Sequence, residues 1–593
     1  MCRIFGYFGE RSISDRVLER VQLAQRNGGP DHQTLKRGET WAVGNNRLAI
    51  QGLSGGEQPF NKGKIWAVYN GEIYNHQALK NELNREGYTF DACDGSVIIP
   101  LYEKYGTRFV EYLNGMFAIA IIDCRTEKKL ILANDTASIK TLYYSWDFSH
   151  DALYFSSELP SLLEFPIERR IRPEAVHEYL VGRSIWHQKT FFDGIQTLPP
   201  SSMLVKTAGQ PAKVSQYKTR LGIDEIVPSN LDDASRRLDD LLSEEMGLMT
   251  QAEAPTCLVT SGGLDSSYMT ALASRYLPDL TCFNVAYEGN WPADERHFAK
   301  EVVEYYKGKY EQVLIRESEF PDILSKTVDH LGQPNSAPHA LSTYALFKSV
   351  SDAGFKVAIT GEGADEFFGG YERFRRATFD SNPDWFSGYF DTLCATTASM
   401  RNFVYHSDYL TFLESRKSEV LNGARNKIED NELAFNSRLK SLLNFDQLER
   451  FPSYILSRVD HLSMANSVEV RVPFCQPRII NYSRKAPDEF LLDASSVKKL
   501  VYGAARDKLP KSIIERPKQP FTLPIVAMMK PGFVLFDIMQ STLTSQVFGN
   551  RGLFNQASIM KLIKDQVRHE SADTANMLWS VMVLELWFQK INY

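Results

Sequence analysis

The residue at position 2 is a cysteine whose place in the chain would let it act as a nucleophile. If Met1 is removed, Cys2 carries a free α-amino group beside its thiol. An α-amine has a pKa of about 7.7–8.0 and a thiol one of about 8.5, so one residue would supply both a nucleophile and a base near neutral pH. An intact Met1 would block this chemistry. The alternative interpretation is a small apolar residue on an edge strand, without a catalytic role.

A glycine-rich string near the middle of the chain could hold an anion. It reads Ser261-Gly262-Gly263-Leu264-Asp265-Ser266-Ser267, follows the apolar segment 257–260 and precedes a helical pattern. Backbone N–H groups at a helix N-terminus attract negative charge, and glycines let the backbone approach a phosphate without a Cβ clash. No Gly-Lys-Ser/Thr follows, so the string is not a Walker A loop.

A second glycine-rich string carries carboxylates. Thr360-Gly361-Glu362-Gly363-Ala364-Asp365-Glu366 follows the apolar strand pattern 357–359, and Gly369-Gly370-Tyr371 comes shortly after it. By itself, such a string is compatible with a solvated turn.

Two different kinds of element must position these residues. In the first half, the apolar pattern predicts strands and helices that together indicate stacked sheets covered by helices: strands at 3–8, 64–70, 116–123, 130–133 and 153–155, helices at 15–26, 76–86 and 97–105. In the second half, strands and helices alternate, which predicts a parallel, doubly wound sheet followed by a mostly helical region beyond about residue 370: helix 232–249, strand 256–260, helix 266–276, strand 280–287, helix 294–306, strand 356–360. A turn-rich stretch within 206–231 separates the halves.

Composition excludes several classes of protein. Of the 593 residues, 43% are hydrophobic and 24% charged, which is unlike a disordered chain, a collagen or a coiled-coil rod. The net charge of −6 gives no overall basic field, so we expect no nucleic-acid partner. No apolar run approaches the roughly 18 residues typical of a membrane helix, so we expect no membrane partner. Seven cysteines without a Cys-x-x-Cys pair predict reduced thiols in a cytoplasmic protein and no zinc site.

The first 200 residues resemble the class II glutamine amidotransferase domain, an N-terminal-nucleophile fold. Three strings carry the resemblance: Tyr69-Asn70-Gly71-Glu72-Ile73-Tyr74-Asn75, Leu113-Asn114-Gly115-Met116-Phe117-Ala118 and Ser156-Ser157-Glu158. The resemblance implies that Cys2 attacks the side-chain amide of glutamine. It further implies that the Asn70 side chain and the Gly71 N–H form the oxyanion hole, that Arg47 clamps the glutamine carboxylate, and that Glu72 and Asp94 hold its α-ammonium group.

Residues from about 235 to 525 resemble the synthetase domain of asparagine synthetases, whose pyrophosphate loop is that of ATP pyrophosphatases. Besides the two glycine-rich strings, the resemblance includes Arg458–Ala465, Glu469–Phe474, Lys498 and Arg516-Pro517-Lys518-Gln519. It implies that Asp265 and Asp365 bind Mg²⁺ on the triphosphate, hard oxygen ligands for a hard cation. It implies that Glu362 acts as a base or orienting group, and that Lys498, with Lys499 next to it, lies near the transferred phosphates. The ATP-binding set it implies is Val259, Ser261, Gly262, Gly263, Asp265, Ser266 and Gly361.

The sequence departs from the family pattern at four places. Asn27-Gly28-Gly29-Pro30-Asp31 replaces His-Arg-Gly-Pro-Asp, and Ser96 replaces a glutamate. Residues 135–141 replace Asp-Arg-Phe-Gly-x-Lys-Pro, and Cys475-Gln476 replaces Leu-Asp. These departures leave the implied glutamine-binding set in place, and they are the reason to weigh acceptors other than aspartate.

The sequence therefore predicts a multidomain α/β protein. An αββα N-terminal-nucleophile sandwich at 1–210 is joined by a linker at 211–230 to a parallel-sheet ATP-pyrophosphatase domain at 231–593 with a mostly helical C-terminal part. The predicted function is glutamine- and ATP-dependent amidation of a carboxylate through an acyl-adenylate, with aspartate as the first acceptor and a biosynthetic intermediate or sugar acid as the alternative.

The predicted cofactors are ATP and Mg²⁺, and a homodimer is one expectation. A tRNA-modifying enzyme and a non-catalytic scaffold are the other classes considered. The acidic balance opposes the former, and the joint presence of Cys2, Asn70, Asp265, Glu362 and Asp365 opposes the latter.

Overall fold

A computed structural model of the chain describes all residues except 1, 11, 54, 187, 292–293, 415–416, 517–522 and the side chains of 417–421. The expectation about Met1 and the part of the resemblance at 517–519 lie outside the described residues.

The first half contains two six-stranded antiparallel sheets. The first sheet has the order β10-β8-β9-β1-β3-β2 and the second β12-β11-β7-β6-β5-β4. The strands of the first sheet are β1 (Cys2–Phe8), β2 (His32–Arg37), β3 (Trp41–Arg47), β8 (Tyr143–Asp147), β9 (Ala152–Ser156) and β10 (Ile195–Thr197). Those of the second are β4 (Phe60–Lys62), β5 (Ile65–Ile73), β6 (Gly115–Asp123), β7 (Lys129–Asn134), β11 (Ser202–Thr207) and β12 (Lys213–Gln216).

The two sheets pack face to face, and helices cover their outer faces. Ile4 and Val43 of the first sheet share one buried cluster with Ala118 and Leu132 of the second. The helices of this half are α1 (Asp15–Ala24), α2 (His76–Asn84), α3 (Ile98–Tyr105), α4 (Leu159–Leu162) and α5 (Pro173–Gly182), with 3₁₀ turns at Arg26–Gly28, Asp94–Val97 and Gly106–Tyr112. This αββα arrangement confirms the predicted N-terminal sandwich. Strand β12 lies inside the segment predicted as a linker.

The second half is built on a five-stranded parallel sheet with the order β15-β14-β13-β16-β17. Its strands are β13 (Thr256–Val259), β14 (Thr281–Tyr287), β15 (Lys309–Ile315), β16 (Val357–Ile359) and β17 (Glu469–Arg471). The chain starts at the central strand β13, moves outward to β15, and returns to β16 on the other side of β13. Ligands of such sheets bind beyond the carboxyl ends of the strands where the direction of winding changes, here between β13 and β16.

The remaining elements of the second half are helical, as the sequence predicts. The helices that flank the sheet are α6 (Leu231–Met249), α7 (Leu264–Ala273), α8 (Arg296–Tyr305), α9 (Phe320–Leu331), α10 (Ala340–Asp352) and α11 (Ala364–Phe368), with a 3₁₀ turn at Glu317–Glu319. The later helices are α12 (Glu372–Phe379), α13 (Trp385–Leu393), α14 (Ala398–Val404), α15 (Ser407–Glu414), α16 (Lys417–Phe435), α17 (Arg438–Phe445), α18 (Ser457–Met464), α19 (Pro477–Lys485), α20 (Asp488–Leu491), α21 (Lys499–Ala505), α22 (Lys511–Ile514), α23 (Ile525–Met528), α24 (Val534–Leu543), α25 (Gln546–Asn550), α26 (Gln556–Arg568) and α27 (Ala572–Lys590), with a 3₁₀ turn at Pro473–Cys475.

Between α17 and α18 the chain forms a π-helix, Asp446–Leu456, with Pro452 inside it. π-Helical turns are rare and frequently occur at functional sites. Among the described residues, no helix has both the length and the hydropathy that a membrane crossing requires.

The two halves share a hydrophobic core. Phe5 and Tyr154 of the first sandwich belong to the same buried cluster as Leu238 of α6 and Trp587 of α27. Each half therefore depends on the other to bury its apolar surface.

Candidate active sites

Cys2 begins the central strand β1 and lies between the two sheets. It is 3% exposed and is paired with Arg47 across the β1–β3 ladder. Its backbone nitrogen donates a hydrogen bond to Asn70 Oδ1 at 3.4 Å, so the first sheet meets the second sheet at this residue. Burial raises the pKa of the Cys2 thiol, and the positive charge of Arg47 opposes that shift. A base beside the sulfur is therefore needed for it to react as a thiolate.

Asn70 and Gly71 stand where the resemblance expects an oxyanion hole. Asn70 is fully buried on β5, and its Nδ2 has no hydrogen-bond partner among the described residues. Gly71 has φ = +149°, and a Cβ at this position would lie 1.9 Å from the carbonyl oxygen of Met116. Only glycine fits there, and the unused amide of Asn70 is a donor available to a developing oxyanion.

Arg47 ends β3 beside Cys2 and is almost completely buried. Its Nη2 donates to the carbonyl oxygens of Gln51 and Gly52 at 3.1 and 2.9 Å. These bonds hold the guanidinium group against the loop that follows β3.

Glu72 and Asp94 form a buried acidic pair. Glu72 is 3% and Asp94 1% exposed. Burial raises the pKa of Glu72 well above its usual value, and Asp94 and Glu469 raise it further, while Arg471 lowers it in part. Asp94 accepts hydrogen bonds from the Tyr69 hydroxyl and, at 2.7 Å, from the Ile73 N–H. Two buried carboxylates this close together favour a cation, as an α-ammonium group would be.

Gln58 contacts the candidate nucleophile but was missed by the sequence analysis. Its Nε2 lies 3.3 Å from Cys2 Sγ and also donates to the carbonyl oxygen of Tyr69 at 3.1 Å. Its Oε1 accepts from the Tyr69 N–H at 2.7 Å. Gln58 lies between sequence motifs, and no spacing or composition signal points to it.

The first glycine-rich string forms a tight loop between β13 and α7. Ser266 Oγ accepts a hydrogen bond from the Ser261 N–H at 3.0 Å, and Ser261 Oγ accepts one from the Gly263 N–H at 3.2 Å. Two loop N–H groups are thus occupied within the loop itself. Gly262 has φ = +83°, and a Cβ there would lie 2.6 Å from the backbone nitrogen of Ala299. The loop follows Val259, the last residue of β13, at the carboxyl edge of the sheet.

The second glycine-rich string follows β16 and packs against the first. A Cβ on Gly361 would lie 3.0 Å from backbone atoms of Asp265 and Ser266. Lys498, in the left-handed conformation at the start of α21, joins the two strings: its Nζ is 2.8 and 2.7 Å from the carboxylate oxygens of Asp265 and also contacts Asp365. Both predicted metal ligands, Asp265 and Asp365, therefore contact the same cation, the ammonium group of Lys498.

Glu362 is half-buried in the second string, close to Cys475. Its Oε2 is enclosed and has no hydrogen-bond partner among the described residues. The thiol of Cys475 is 3.7 Å from the Glu362 carbonyl oxygen. Gln476, which stands where the family pattern has aspartate, is fully buried, and its Nε2 donates to the Val472 carbonyl oxygen at 3.2 Å.

A buried ion cluster links the two halves of the protein. Arg3 follows Cys2 in β1 and donates to Glu158 Oε1 at 2.8 Å and to Asp460 Oδ2 at 2.6 Å. Lys140 Nζ is 2.7 Å from Asp460 Oδ1. Arg3, Lys140 and Asp460 are at most 3% exposed. Although burial alone would raise the pKa of Asp460, Arg3 and Lys140 hold it well below its usual range. Helix α18 of the second half is thus tied to the strand that carries Cys2.

A cysteine at the head of a sandwich strand, hydrogen-bonded to an asparagine that has an unused amide donor, is characteristic of class II glutamine amidotransferases. Here that sandwich is joined to a parallel sheet whose two glycine-rich loops meet at the point where the winding reverses, as in ATP pyrophosphatases. The fold and the sites thus define the class of ATP-dependent amidotransferases.

Comparison with known proteins identifies the family within this class. Residues 237–589 match the family model described as asparagine synthase, and residues 1–218 match that of the glutamine amidotransferase domain. The chain belongs to the asparagine synthase family.

Several named relatives match over most of their length. Asparagine synthetase [glutamine-hydrolyzing] 1 of Bacillus subtilis is 26% identical over 99% of this chain and 96% of its own. A putative asparagine synthetase [glutamine-hydrolyzing] of Mycobacterium bovis is 26% identical over 96% of this chain and 93% of its own. Amidase chyE of Penicillium rubens is also 26% identical, over 81% of this chain and 80% of its own.

Proposed function

We propose that this protein transfers the amide nitrogen of glutamine to a carboxylate that it first activates with ATP, and that aspartate is the first acceptor to test. The observation that carries the proposal is the coexistence of two complete candidate sites in one chain. Cys2 faces the unused amide of Asn70 in the first half, while Asp265, Lys498 and Asp365 converge beside Glu362 in the second half. Family membership and the relatives named as glutamine-hydrolysing asparagine synthetases support the same chemistry.

In the first reaction, Cys2 Sγ attacks the side-chain carbonyl carbon of glutamine. The α-amino group of Cys2, freed by removal of Met1, takes the thiol proton as the C–S bond forms, and Asn70 Nδ2 and the Gly71 N–H stabilise the oxyanion. The C–N bond breaks when the same amino group passes that proton to the leaving nitrogen. Water then hydrolyses the thioester to glutamate. Arg47 holds the α-carboxylate of the substrate, and Glu72 with Asp94 holds its α-ammonium group.

In the second reaction, an oxygen of the acceptor carboxylate attacks the α-phosphorus of ATP. The bond to the β-phosphate breaks and pyrophosphate leaves, so the carboxylate becomes an acyl-adenylate. Ammonia then attacks the acyl carbon, AMP leaves, and Glu362 accepts the proton that the new amide nitrogen loses. The loop of Ser261, Gly262, Gly263 and Ser266, together with Val259 and Gly361, binds ATP, and Lys498 neutralises phosphate charge.

Asp265 and Asp365 fit Mg²⁺, because both are carboxylates and both already converge on one cation, the Lys498 ammonium group. When bound, the ion would neutralise charge on the triphosphate. The two aspartates would hold it, and the Lys498 ammonium group would neutralise further phosphate charge.

The domain limits, the assembly and the compartment complete the proposal. The glutaminase domain occupies 1–210 and the synthetase domain 231–593, with their connection at 211–230. The assembly is a homodimer, which sedimentation of the purified protein would test. The compartment is the cytoplasm, because an odd number of cysteines without a Cys-x-x-Cys pair is typical of a reducing compartment.

Cys2→Ala tests the division of labour between the sites. The change removes the sulfur that attacks glutamine and leaves the ATP site intact. Product formation with glutamine should fall to background, while product formation with a high concentration of ammonium chloride should persist. Cys124→Ala, a change at a cysteine beyond the end of β6, is the matched control and should retain both activities. Wild-type activity of Cys2→Ala with glutamine would show that the nucleophile is misassigned.

ATP–pyrophosphate exchange across a panel of carboxylates tests the activation step and the acceptor together. Aspartate should promote exchange, and asparagine should form when ammonia is added. If aspartate does neither but another carboxylate promotes exchange, the alternative acceptor is correct. The Cys475-Gln476 pair beside Glu362 is the observation that keeps this alternative open. Absence of exchange with every carboxylate would refute the adenylation chemistry.

A further inference from the structure

Gly28 ends the 3₁₀ turn after α1, and its backbone conformation does not require a glycine. The residue is buried, and its φ lies outside the positive range that favours glycine, so an alanine could adopt the same conformation. A Cβ on Gly28 would nevertheless lie 2.6 Å from Cγ and 2.7 Å from Nε of Arg3. The absence of a side chain at this position is therefore explained by the space that the Arg3 side chain occupies.

The Arg3 side chain connects the strand of the candidate nucleophile to the second half of the protein. Arg3 follows Cys2 in β1 and is fully buried. Its Nε donates to Glu158 Oε1 at 2.8 Å, while Nη1 and Nη2 donate to the carboxylate and the carbonyl oxygen of Asp460 at 2.6 and 3.3 Å. Each nitrogen of the guanidinium group thus has an acceptor, so β1 is held to α18 at the residue next to the sulfur.

The turn that carries Gly28 contacts the same region of the second half. The carbonyl oxygen of Asn27 accepts a hydrogen bond from Ser467 Oγ at 2.6 Å. Ser467 comes shortly after α18, the helix to which Arg3 is bonded. The turn and the arginine side chain therefore lie together at the contact between the halves.

This contact has room and charge for one arginine. In the family pattern an arginine stands at position 28, where this chain has glycine. The direction of the absent Cβ leads into the space that Arg3 fills, so a long side chain at 28 could enter only if residue 3 were small. The ion cluster also sets two carboxylates, Glu158 and Asp460, against two cations, so a further buried guanidinium group would be uncompensated.

We propose that Arg3 is a positioning residue of the glutaminase site and that Gly28 provides the space it needs. The guanidinium group fixes the strand that carries Cys2 to the synthetase half, and it enters the contact from position 3 instead of position 28. The two positions are then exchangeable: either can carry the arginine if the other is small. This inference rests on the proposed function, because it takes Cys2 as the nucleophile.

The ratio of glutamine-dependent to ammonia-dependent product formation measures the positioning role, because a loss of fold lowers both activities of the full-length protein. Arg3→Ala should lower this ratio about tenfold or more, since a small displacement of a reacting atom slows its reaction. The kcat for glutamine should fall with little change in KM, because Arg47 still holds the substrate. Arg3→Ala combined with Gly28→Arg should regain most of the ratio.

The matched control for this rescue places the added arginine elsewhere. Gly388 is an exposed glycine of α13, and no atom of the described residues lies within 4 Å of its Cβ position. Arg3→Ala combined with Gly388→Arg has the same net charge as the rescued variant and should keep the low ratio of Arg3→Ala.

Gly28→Ala tests the shared space without any change of charge. In the presence of Arg3 the added methyl group collides with the arginine side chain, which should lower the melting temperature. In the Arg3→Ala background the same change should have little effect, so the two substitutions should not be additive. Thermal melting of the wild type, the two single variants and the double variant measures this.

An unchanged activity ratio in Arg3→Ala would overturn the proposal, as would equal ratios for the Gly28→Arg and Gly388→Arg combinations. Additive shifts of the melting temperature would overturn it as well, and this series decides the question even if an arginine variant does not fold. A wild-type protein that forms no product from glutamine would refute the proposed function. Non-additive melting temperatures would in that case still uphold the exchange between positions 3 and 28.

Discussion

The oxygen and the nitrogen of the Asn70 side-chain amide have different roles. Its Oδ1 accepts a hydrogen bond from the Cys2 nitrogen, which fixes the orientation of the side chain, and its Nδ2 remains without a partner among the described residues. A buried donor that is held in place and left unused is organised in advance for a charge that appears only during the reaction.

Asn70→Ala should lower kcat for glutamine hydrolysis by about 10²–10³-fold, the usual cost of one oxyanion donor, with a smaller change in KM. Ammonia-dependent product formation should remain, because the second site is untouched. Steady-state glutaminase assays would measure the effect. The control is Asn61→Ala on β4 of the same sheet, where the side chain donates to the carbonyl oxygens of Gly63 and Ile65 in its own hairpin. An unchanged kcat in Asn70→Ala would remove this residue from the oxyanion hole.

At the scale of elements, the loop between β13 and α7 owes its shape to one glycine. Gly262 has a positive φ, and its Cα faces the backbone of α8 so closely that a side chain would collide with Ala299. The strain of a side chain at positive φ and the collision with Ala299 are separate effects. Gly194 also has a positive φ, but a side chain there would not collide with a described residue.

Gly262→Ala should raise KM for ATP and lower the melting temperature, because α8 or the loop must shift to admit the methyl group. Gly194→Ala is the matched control, since Gly194 has φ = +72° but no atom of the described residues lies within 4 Å of its Cβ position. It should lose only the roughly 1–2 kcal/mol of a left-handed alanine, with ATP use unchanged. Kinetics and thermal melting of both variants would separate the two effects. If Gly262→Ala and Gly194→Ala had the same KM for ATP, the loop would not be the part that binds the nucleotide.

Elements with a strong hydrophobic pattern were predictable from the sequence, and their ends were not. The strand predicted at 280–287 is Thr281–Tyr287, and the helix predicted at 266–276 begins two residues earlier, at Leu264. Strand β12 was missed because all of its side chains are exposed, so it has no buried face to leave a pattern.

Site residues that belong to motifs could be proposed from the sequence, and those positioned by tertiary contacts could not. Lys498 and Lys499 are indistinguishable in sequence, but the left-handed backbone at Lys498 turns it toward Asp265, whereas Lys499 pairs with Asp493 at 2.7 Å. Gln58 reaches Cys2 from the loop between β3 and β4, which leaves no sequence signal.

At the scale of the whole molecule, the halves are joined by buried polar contacts in addition to the shared core. Glu245 of α6 accepts hydrogen bonds from Asn114 Nδ2 at 3.3 and 3.0 Å. Burial raises the pKa of Glu245 to about 7. A carboxyl group that binds its proton more tightly when folded stabilises the protein most at low pH and loses that contribution as the pH rises through about 7.

Glu245→Gln should therefore raise the melting temperature at pH 8.5 and have little effect at pH 5. The amide keeps an acceptor for Asn114 and removes a charge that is costly to bury, worth up to about 3 kcal/mol at high pH. Differential scanning calorimetry at the two pH values, on variant and wild type, measures the difference. A stabilisation that is equal at both pH values would contradict this assignment.

The ion cluster at the interface makes a second prediction at this scale. Asp460→Asn leaves Arg3 and Lys140 without their shared counter-charge, which should destabilise the protein by about 3–5 kcal/mol and reduce glutaminase activity more than ammonia-dependent activity. Asp193→Asn is the control, because the ion pair of Asp193 with Arg170 is exposed to solvent and should contribute little to stability. Denaturant melts and paired activity assays give both readouts. Similar losses of stability and of glutaminase activity in the two variants would show that the cluster does not have this role.

The same cluster has a consequence for the order of events during synthesis. Lys140 and Asp460 are 320 residues apart, and Arg3 and Asp460 are 457 apart. At a translation rate of about 5–20 residues per second, the ribosome needs roughly 15–60 s after making Lys140 to supply its partner. Throughout that interval the glutaminase half buries two cations but supplies only Glu158, the partner of Arg3, so Lys140 lacks its counter-charge. The strand that carries Cys2 therefore obtains its full set of ion pairs only after Asp460 has been made, and we expect little ammonia to be released from glutamine before the half that consumes ammonia exists.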